Sequence, residues 1–348
     1  MKSALLTGPQ TMQVLETPDP VLHRDGDVLL RMQRVGVCGS DVHYYACGRI
    51  GSQIVDYPFC VGHECAAVVE AVGASVARVT CGDLVAVDPA QSCGLCDQCR
   101  GGRPHTCRHL LFLGTPGQGP GCLSERRIMP QECCFPVLPD TGPDRAALIE
   151  PLSIGVYAAR LAGTTLPGKR LAIPGAGPIG LSVLLALRAM GAESVGMTDK
   201  LEGRLQTAMD AGASWTQRAD QPNAIGAIAR HEPGLLDVVW ECCGQQEALD
   251  QAVALLKPGG ILVLVGIPAV ERISFPVDEM RRKEIRLQNV RRQNGCVQAA
   301  LDLVEQQGVN PDFMVTHHYP LGQVQAAFDL VHTYADGVIK AMITFEST

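Results

Sequence analysis

The sequence predicts an α/β protein of two domains, one rich in short β-strands and one built on a doubly wound parallel sheet. Three observations support this prediction. The chain has 348 residues, which is too long for one ordinary core. Its first third contains several short strands separated by turns, a pattern typical of a small barrel or sandwich. After residue 170, short apolar strands alternate with helical segments, which is typical of a parallel sheet.

Composition limits the classes of function. Apolar residues make up 46% of the chain and charged residues 19%, which describes a folded globular protein. The net charge is −7 and no block of basic residues occurs, so we expect neither a nucleic-acid partner nor a membrane partner. The chain has 15 cysteines, an odd number, and four of them cluster at metal spacing. A reducing cytoplasm suits such thiols, and we expect a cytoplasmic location.

The β-rich part begins with residues 1–35 and includes the strand VLLRMQRVGV. This strand leads into GVCGSDVHYY (36–45), which contains a thiol, a hydroxyl, an imidazole and a phenol within ten residues. One thiolate cannot hold a metal alone, and VGHEC and IEPLSIG downstream supply further donors. Cysteine, histidine and carboxylate ligands with room for a water are typical of a catalytic zinc. The candidate ligands are Cys38, His63, Glu64 and Glu150.

The segment CGLCDQCRGGRPHTC contains the spacing C-x2-C-x2-C-x7-C. Closely spaced cysteines on a tight loop can direct their sulfurs inward, and four thiolates leave no open coordination position. The spacing therefore favours a structural zinc in a lobe at about residues 90–110, with an iron–sulfur cluster or redox disulfides as alternatives. The predicted ligands are Cys93, Cys96, Cys99 and Cys107.

The second domain begins with a helical pattern in SIGVYAARLAG, followed by the strand RLAIP, the turn GAGPIG, an apolar helix and the strand SVGMTD. Strand, GxGxxG, helix, strand and acid within about thirty residues form the dinucleotide fingerprint in its proper context. Gly175 permits the tight turn, Gly177 lets the backbone reach the pyrophosphate, and Gly180 lets helix and strand approach. Pro178 falls in the first turn of the helix, where proline is tolerated.

Asp199 ends the second strand and should accept hydrogen bonds from the adenosine ribose, which favours NAD over NADP. Lys200 and Arg204 lie close by in sequence and could instead pair with a 2′-phosphate. The strands LLDVVWECCG and GGILVLVGIP continue the parallel sheet. Their carboxyl ends, where a dinucleotide binds, are at Cys242 and at Val265, Gly266 and Ile267. Two more helices and the strand VIKAMITF complete the chain. We expect residues 1–154 and 290–348 to form the β-rich domain and 155–289 the nucleotide-binding domain.

These motifs together resemble the medium-chain, zinc-dependent alcohol dehydrogenase superfamily, and within it the polyol (sorbitol/xylitol) dehydrogenase group. The resemblance covers essentially the whole chain and rests on GVCGSDVHYY, GHE, the four-cysteine lobe, IEPLSIG, GAGPIG, TD at 198–199 and VTHHYPL. It implies a GroES-like catalytic domain joined to a Rossmann domain, with one catalytic and one structural zinc per chain. It also implies an NAD-dependent oxidation of a polyol to a ketose by a homo-oligomer, either a tetramer or a dimer.

The resemblance assigns roles to further residues. Ser40 and His43 match the family's proton relay, and Glu150 either binds the metal or holds its water. The substrate pocket would be lined by Tyr44, Phe112, Thr115 and Arg291. Cofactor contacts would also include Ile179, Arg204, Asn289 and Arg291.

Three alternatives stay open. The pocket stretch NVRRQN has two adjacent arginines, so either Arg291 or Arg292 could face the substrate. A zinc-dependent L-threonine dehydrogenase resembles this chain in its lobe and nucleotide fold, although that group usually has threonine in place of Ser40. A non-catalytic zinc-binding member is a third alternative.

Overall fold

A computed structural model describes residues 1–345 of the chain. The chain divides into two compact units. The first unit comprises Met1–Glu150 together with the chain from Asn310 onward, and the second comprises Pro151–Val309. No helix within residues 1–345 has both the length and the apolar character needed to cross a bilayer.

The first 161 residues contain eleven strands and three helices. The helices are α1 (Gly39–Cys47), α2 (Asp97–Arg100) and α3 (Pro143–Leu161). The strands are β1 (Lys2–Gly8), β2 (Thr11–Glu16), β3 (Asp27–Gly36), β4 (Arg49–Ile50), β5 (Gln53–Ile54), β6 (Glu64–Val72), β7 (Leu84–Val87), β8 (Ala90–Gln91), β9 (Leu111–Phe112), β10 (Arg126–Pro130) and β11 (Cys134–Pro136).

The second unit alternates strands with helices. Its strands are β12 (Arg170–Pro174), β13 (Ser194–Asp199), β14 (Trp215–Arg218), β15 (Leu236–Glu241), β16 (Leu256–Leu264) and β17 (Arg286–Asn289). Its helices are α4 (Pro178–Ala189), α5 (Glu202–Asp210), α6 (Ala224–His231), α7 (Gln246–Leu255), α8 (Val277–Arg282) and α9 (Val297–Glu305). The chain then returns to the first unit with β18 (Val315–Pro320), α10 (Val324–Thr333) and β19 (Lys340–Thr344).

The first unit is organised by a seven-stranded sheet in the order β11-β7-β6-β3-β19-β18, with β10 also pairing with β3. Strand β3 is central, and it pairs antiparallel with both β6 and β19. Val28, Leu30 and Val35 of β3 are fully buried in the core of this unit. Strands from distant parts of the sequence therefore meet on β3, which brings the end of β3 beside the start of β6.

The second unit contains a six-stranded sheet in the order β14-β13-β12-β15-β16-β17, and every pairing in it is parallel. Renumbered within the unit, this order is 3-2-1-4-5-6, the order of a Rossmann fold. All six residues of β15 are buried, as expected for a central strand of a parallel sheet. The strand order reverses between β12 and β15, so their carboxyl ends form the switch point where this fold binds dinucleotides. The predicted fold class is confirmed.

Both expected boundaries, after residues 154 and 289, differ from the observed division, which falls after Glu150 and after Val309. The second difference is the larger: residue 290 was predicted to begin the return to the β-rich domain, whereas the second unit continues to Val309. The reason is α9, whose apolar face buries Val297 and Leu301. Beside this helix, the thiol of Cys296 accepts a hydrogen bond from Arg160 Nη1 at 3.4 Å within the second unit.

Candidate functional site

Three of the predicted metal ligands converge in the first unit. The ligand atoms of Cys38, His63 and Glu64 all lie within 4.8 Å of one another. Cys38 immediately precedes α1, and His63 and Glu64 lie at the start of β6. The convergence follows from the sheet, because the last residue of β3, Gly36, pairs directly with Glu64. A Cβ at Gly36 would lie 2.3 Å from Glu64 Oε2, so only glycine leaves room for this carboxylate.

The carboxylate that holds this group together was not among the residues predicted from the sequence. Asp41 is completely buried and accepts hydrogen bonds from the backbone N–H of Cys38 at 3.2 Å and of Gly62 at 3.1 Å. Its Oδ1 also lies 3.4 Å from Nδ1 of His63. Burial alone would lower the pKa of His63, but Asp41 and Cys38 raise it above its ordinary value. A carboxylate on one ring nitrogen orients the other nitrogen toward a metal and makes it more basic. The acid three residues after Cys38 was the available signal.

Lys340 is a second residue that sequence reasoning missed. It is 1% exposed, and its Nζ lies 2.6 Å and 2.8 Å from the two carboxylate oxygens of Glu64. Burial would lower the pKa of this lysine, but the charge of Glu64 overcomes that effect and raises it. Its Nζ also donates to the Val37 carbonyl at 3.2 Å, so the ion pair ties Glu64 to the residue before Cys38. A lone lysine in the apolar strand VIKAMITF was the available signal.

Glu150, the fourth candidate, is not part of the three-residue ligand group. It lies in α3 and is 7% exposed. Burial raises the pKa of its carboxyl to about 8; the charge of His63 opposes this rise, and that of Glu64 adds to it. A carboxyl with such a pKa can take up and release a proton near neutral pH. Whether Glu150 binds the metal or holds its water stays a prediction.

Of the predicted relay and pocket residues, Ser40 and Phe112 contact the ligand group. Ser40 donates a hydrogen bond from Oγ to the Cys38 sulfur at 3.3 Å, and burial lowers the pKa of His43. The hydroxyl of Tyr44, a buried residue, donates to Gln53 Oε1 at 3.2 Å. The ring of Phe112 lies 5.4 Å from that of His63.

The other two predicted pocket residues, Thr115 and Arg291, belong to different units. Thr115 is buried in the loop after β9. Arg291 belongs to the second unit, where it follows β17 and is exposed. Its neighbour Arg292 has a left-handed backbone (φ 54°). The roles of all these residues stay predictions.

The four cysteines of the lobe also converge. Their sulfurs are separated by 3.4 to 3.9 Å along the four edges Cys93–Cys107, Cys96–Cys99, Cys93–Cys99 and Cys96–Cys107. A tetrahedral zinc with bonds of about 2.3 Å requires sulfurs about 3.8 Å apart, which these edges match. All fifteen cysteines are free, so the disulfide alternative does not describe this structure. An iron–sulfur cluster distributes its four cysteine sulfurs over two or more irons, so some of them lie farther apart than the 4.8 Å within which all four of these sulfurs fall.

Backbone N–H groups point at the lobe's sulfurs. Cys93 and His109 each donate to Cys107 Sγ at 3.3 Å. Backbone hydrogen bonds from Arg108 and Cys99 lower the pKa of the Cys96 thiol. These contacts favour thiolates, which are the form that binds a metal.

The glycine turn of the second unit has the predicted geometry. Gly175 has φ of +100°, and a Cβ at Gly180 would lie 1.8 Å from the carbonyl oxygen of Gly175. Gly177 precedes α4, whose first residues are Pro178 and Ile179. Free N–H groups at this helix start form a site for phosphates.

The carboxylate of Asp199 accepts backbone hydrogen bonds from the glycine turn and from the turn that follows β13. Its Oδ2 accepts from Ala176 N–H at 2.8 Å and its Oδ1 from Leu201 N–H at 2.9 Å. A Cβ at Gly177 would lie 3.4 Å from Arg204 Nη1, so this guanidinium lies against the start of α4. Asp199 therefore shapes the turn, and its contact with a ribose stays a prediction.

A cavity of about 170 Å³ opens at the carboxyl ends of β15, β16 and β17. Glu241, Gly244, Gly266 and Asn289 contribute to its wall. The predicted cofactor positions Cys242, Val265 and Ile267 lie in the two loops beside it. These strands form one mononucleotide-binding half of a Rossmann sheet.

Family models match both parts of the chain. The model described as "Alcohol dehydrogenase GroES-like domain" matches residues 24–140, and the model described as "Zinc-binding dehydrogenase" matches residues 178–306. The first match contains Cys38, His63, Glu64 and the lobe, and the second begins at Pro178 of α4.

Individual relatives agree with these models. The sorbitol dehydrogenase of Bacillus subtilis is 35% identical, over 99% of this chain and 97% of its own. An alcohol dehydrogenase structure from Escherichia coli in complex with NADH has a TM-score of 0.90 and 26% identity, covering 99% of each chain. A zinc-binding dehydrogenase structure from Sinorhizobium meliloti bound to NADP has a TM-score of 0.88 and 27% identity, covering 99% of this chain and 98% of its own.

Replacing Asp41 by Asn should weaken metal binding at Cys38, His63 and Glu64 by about 10- to 100-fold, because the imidazole loses its carboxylate partner. The measurement is metal content after equilibration with a graded series of chelator. Asp27→Asn is the matched control, since Asp27 is also buried and accepts from the backbone N–H of Arg24 at 3.0 Å, at the opposite end of β3. Metal retention by Asp41→Asn equal to that of Asp27→Asn would contradict the role of Asp41.

Proposed function

Because this chain belongs to the zinc-dependent medium-chain alcohol dehydrogenase superfamily, in its polyol dehydrogenase group, we propose that it oxidises a secondary alcohol of a polyol such as sorbitol or xylitol to the ketose, with NAD as the hydride acceptor. The observation that carries this proposal is the convergence of Cys38, His63 and Glu64 in a chain that also contains a complete dinucleotide turn. Three ligands leave a tetrahedral metal one position for a water or substrate.

Zinc bound by Cys38, His63 and Glu64 would supply a Lewis acid for an alcohol oxygen, and NAD bound at the glycine turn would supply the redox chemistry. Lys340 would hold Glu64 in place, and Asp41 would hold His63. The second zinc would be bound by the four lobe cysteines and would serve the fold alone, since four thiolates fill its coordination sphere. The proposed stoichiometry is therefore two zinc ions per chain.

Removing a hydride from an alcohol also requires removing its hydroxyl proton. His43 can accept that proton because burial lowers its pKa and keeps the ring neutral at pH 7. Ser40, three residues earlier, would pass the proton from the substrate toward His43. Glu150 is the alternative acceptor, because its carboxyl is buried within electrostatic reach of His63.

We propose NAD as the cofactor over NADP because a carboxylate at Asp199 repels a 2′-phosphate. Arg204 of α5, whose guanidinium lies against the start of α4, could offset that repulsion, so both cofactors belong in the test. The free state of all fifteen cysteines supports a cytoplasmic location. The resemblance to polyol dehydrogenases supports a homo-oligomer, either a dimer or a tetramer.

The direct test is a panel of sorbitol, xylitol, galactitol and L-threonine, each assayed with NAD and with NADP by formation of the reduced cofactor. We expect turnover of at least one polyol with NAD, and slower or no turnover of threonine. Turnover of threonine alone would support the alternative that the protein is a threonine dehydrogenase. No turnover of any substrate by protein with a full metal content would favour the non-catalytic alternative.

Replacing Cys38 by Ser should reduce polyol turnover at least 1,000-fold, because the metal loses its only thiolate, while NAD binding remains measurable. Metal analysis should show one zinc per chain fewer than in the wild type. Cys47→Ser is the matched control, since Cys47 is an exposed cysteine at the other end of α1. Retained turnover in Cys38→Ser would refute the catalytic role of this site.

A further inference from the structure

Glu241 is a buried carboxylate at the carboxyl end of β15, and neither the glycine turn nor the metal centre accounts for it. It is 2% exposed and forms part of the wall of the 170 Å³ cavity. Its Oε1 accepts hydrogen bonds from the backbone N–H of Cys243 at 2.7 Å and of Gly244 at 2.6 Å. The side chain therefore fixes the loop that follows its own strand.

The main chain of Glu241 fixes a second loop. Its carbonyl oxygen accepts from the N–H groups of Val265 and Gly266, both at 2.9 Å, in the loop that follows β16. Four backbone donors from two loops thus converge on one residue. Both loops lie at the edge of the sheet where a Rossmann fold binds its dinucleotide.

The two loops approach each other as closely as glycine allows. A Cβ at Gly266 would lie 2.3 Å from the Gly244 nitrogen and 2.7 Å from Glu241 Oε2. A Cβ at Gly244 would lie 2.6 Å from the carbonyl oxygen of Ile267. The loop after β15 also contacts the glycine turn, because Cys242 N–H donates to the Pro174 carbonyl at 2.8 Å. A shift of the Glu241 carboxylate would therefore displace both walls of the cavity together.

Within residues 1–345, no lysine, arginine or histidine forms an ion pair with Glu241. A buried carboxylate without a cation is unfavourable unless hydrogen bonds stabilise it. Hydrogen bonds to an ionised acceptor are stronger than those between neutral groups, and here they are supplied by the loop N–H groups. The charge and the loop geometry thus depend on each other.

We propose that Glu241 is a positioning residue for the nicotinamide cofactor: it holds the loops 242–244 and 265–267 in the geometry that binds the dinucleotide. This inference rests on the proposed function, since it concerns how NAD is bound. It predicts that the charge of Glu241 serves cofactor affinity and that other buried charges on β15 do not.

The same strand provides a matched control. Asp237, near the amino end of β15, is 7% exposed and accepts from Arg170 N–H at 2.9 Å. It also forms an ion pair with Lys257 at 2.5 Å. Glu241→Gln and Asp237→Asn each remove one buried negative charge from β15, the first at its carboxyl end and the second near its amino end. Glu241→Asp keeps the charge, but its side chain is one methylene shorter and places the carboxylate farther from the loop N–H groups.

The experiment measures the dissociation constants of the three variants and of the wild type for NAD+ and NADH by titration calorimetry, with zinc content and thermal midpoint as controls. Glu241→Gln should weaken both dinucleotides about tenfold and to the same extent, and raise the KM for NAD while changing kcat at saturation less than about twofold. Glu241→Asp should weaken binding at least as much. Asp237→Asn should lower the thermal midpoint without changing either dissociation constant.

Three results would overturn the inference. Unchanged binding in Glu241→Gln would show that the loops do not need the charge. Equal weakening in Asp237→Asn would show a general effect of stability. Weakening for NAD+ alone would show that the charge attracts the cationic ring and does not position the loops. If the wild type bound neither dinucleotide, the proposed function itself would fail, which is a separate outcome.

Discussion

The carboxylate of Asp41 has no exposed surface, and it accepts hydrogen bonds from the backbone at Cys38 and at Gly62 while facing the ring of His63. The candidate metal centre depends on this arrangement, because its ligands come from two separate segments. Pairing of β3 with β6 brings those segments together, but pairing alone does not orient a thiol and an imidazole toward one point. Asp41 fixes both segments relative to each other and leaves the far nitrogen of His63 available to a metal.

The second unit uses carboxylates in a similar way. Asp199 accepts from a backbone N–H within the glycine turn and from another in the turn after β13, and Glu241 accepts from the loop after β15. In each case a buried or half-buried acid is placed where a loop leaves a strand or enters a helix. Backbone N–H groups at such places lack partners within the regular structure, and an ionised acceptor satisfies them strongly. Both units thus attach irregular, ligand-binding loops to a rigid sheet by acid-to-backbone hydrogen bonds.

The sequence was sufficient to predict the fold class and the residues that a local pattern marks. The four lobe cysteines are close in sequence, and the glycine turn is contained in one strand–helix unit, so their geometry follows from spacing. Cys38, His63 and Glu64 could be grouped because their chemistry is distinctive. Asp41, Lys340 and Glu241 could not be assigned, since their partners are set by tertiary structure. Lys340 meets Glu64 only because β19 and β6 flank the same strand, 276 residues apart in sequence.

The position of the second domain boundary also depends on tertiary structure and could not be read from a local pattern. An amphipathic helix such as α9 can cover either unit, and its pattern does not reveal which one. The predicted boundary therefore fell at residue 290, although α9 packs in the second unit. The role of Glu150 is a related case. Whether it is a ligand or a nearby proton acceptor depends on its distance from the metal, and sequence spacing does not specify that distance.

The most direct test of the account is zinc X-ray absorption on the variant Cys96→Ser/Cys99→Ser, which removes the lobe site and leaves the Cys38 centre. We predict one zinc per chain whose first shell contains a single sulfur at about 2.3 Å, with the remaining ligands nitrogen or oxygen at about 2.0–2.2 Å. A shell without sulfur, or one with two or more sulfurs, would contradict the assignment of Cys38, His63 and Glu64 as one metal centre.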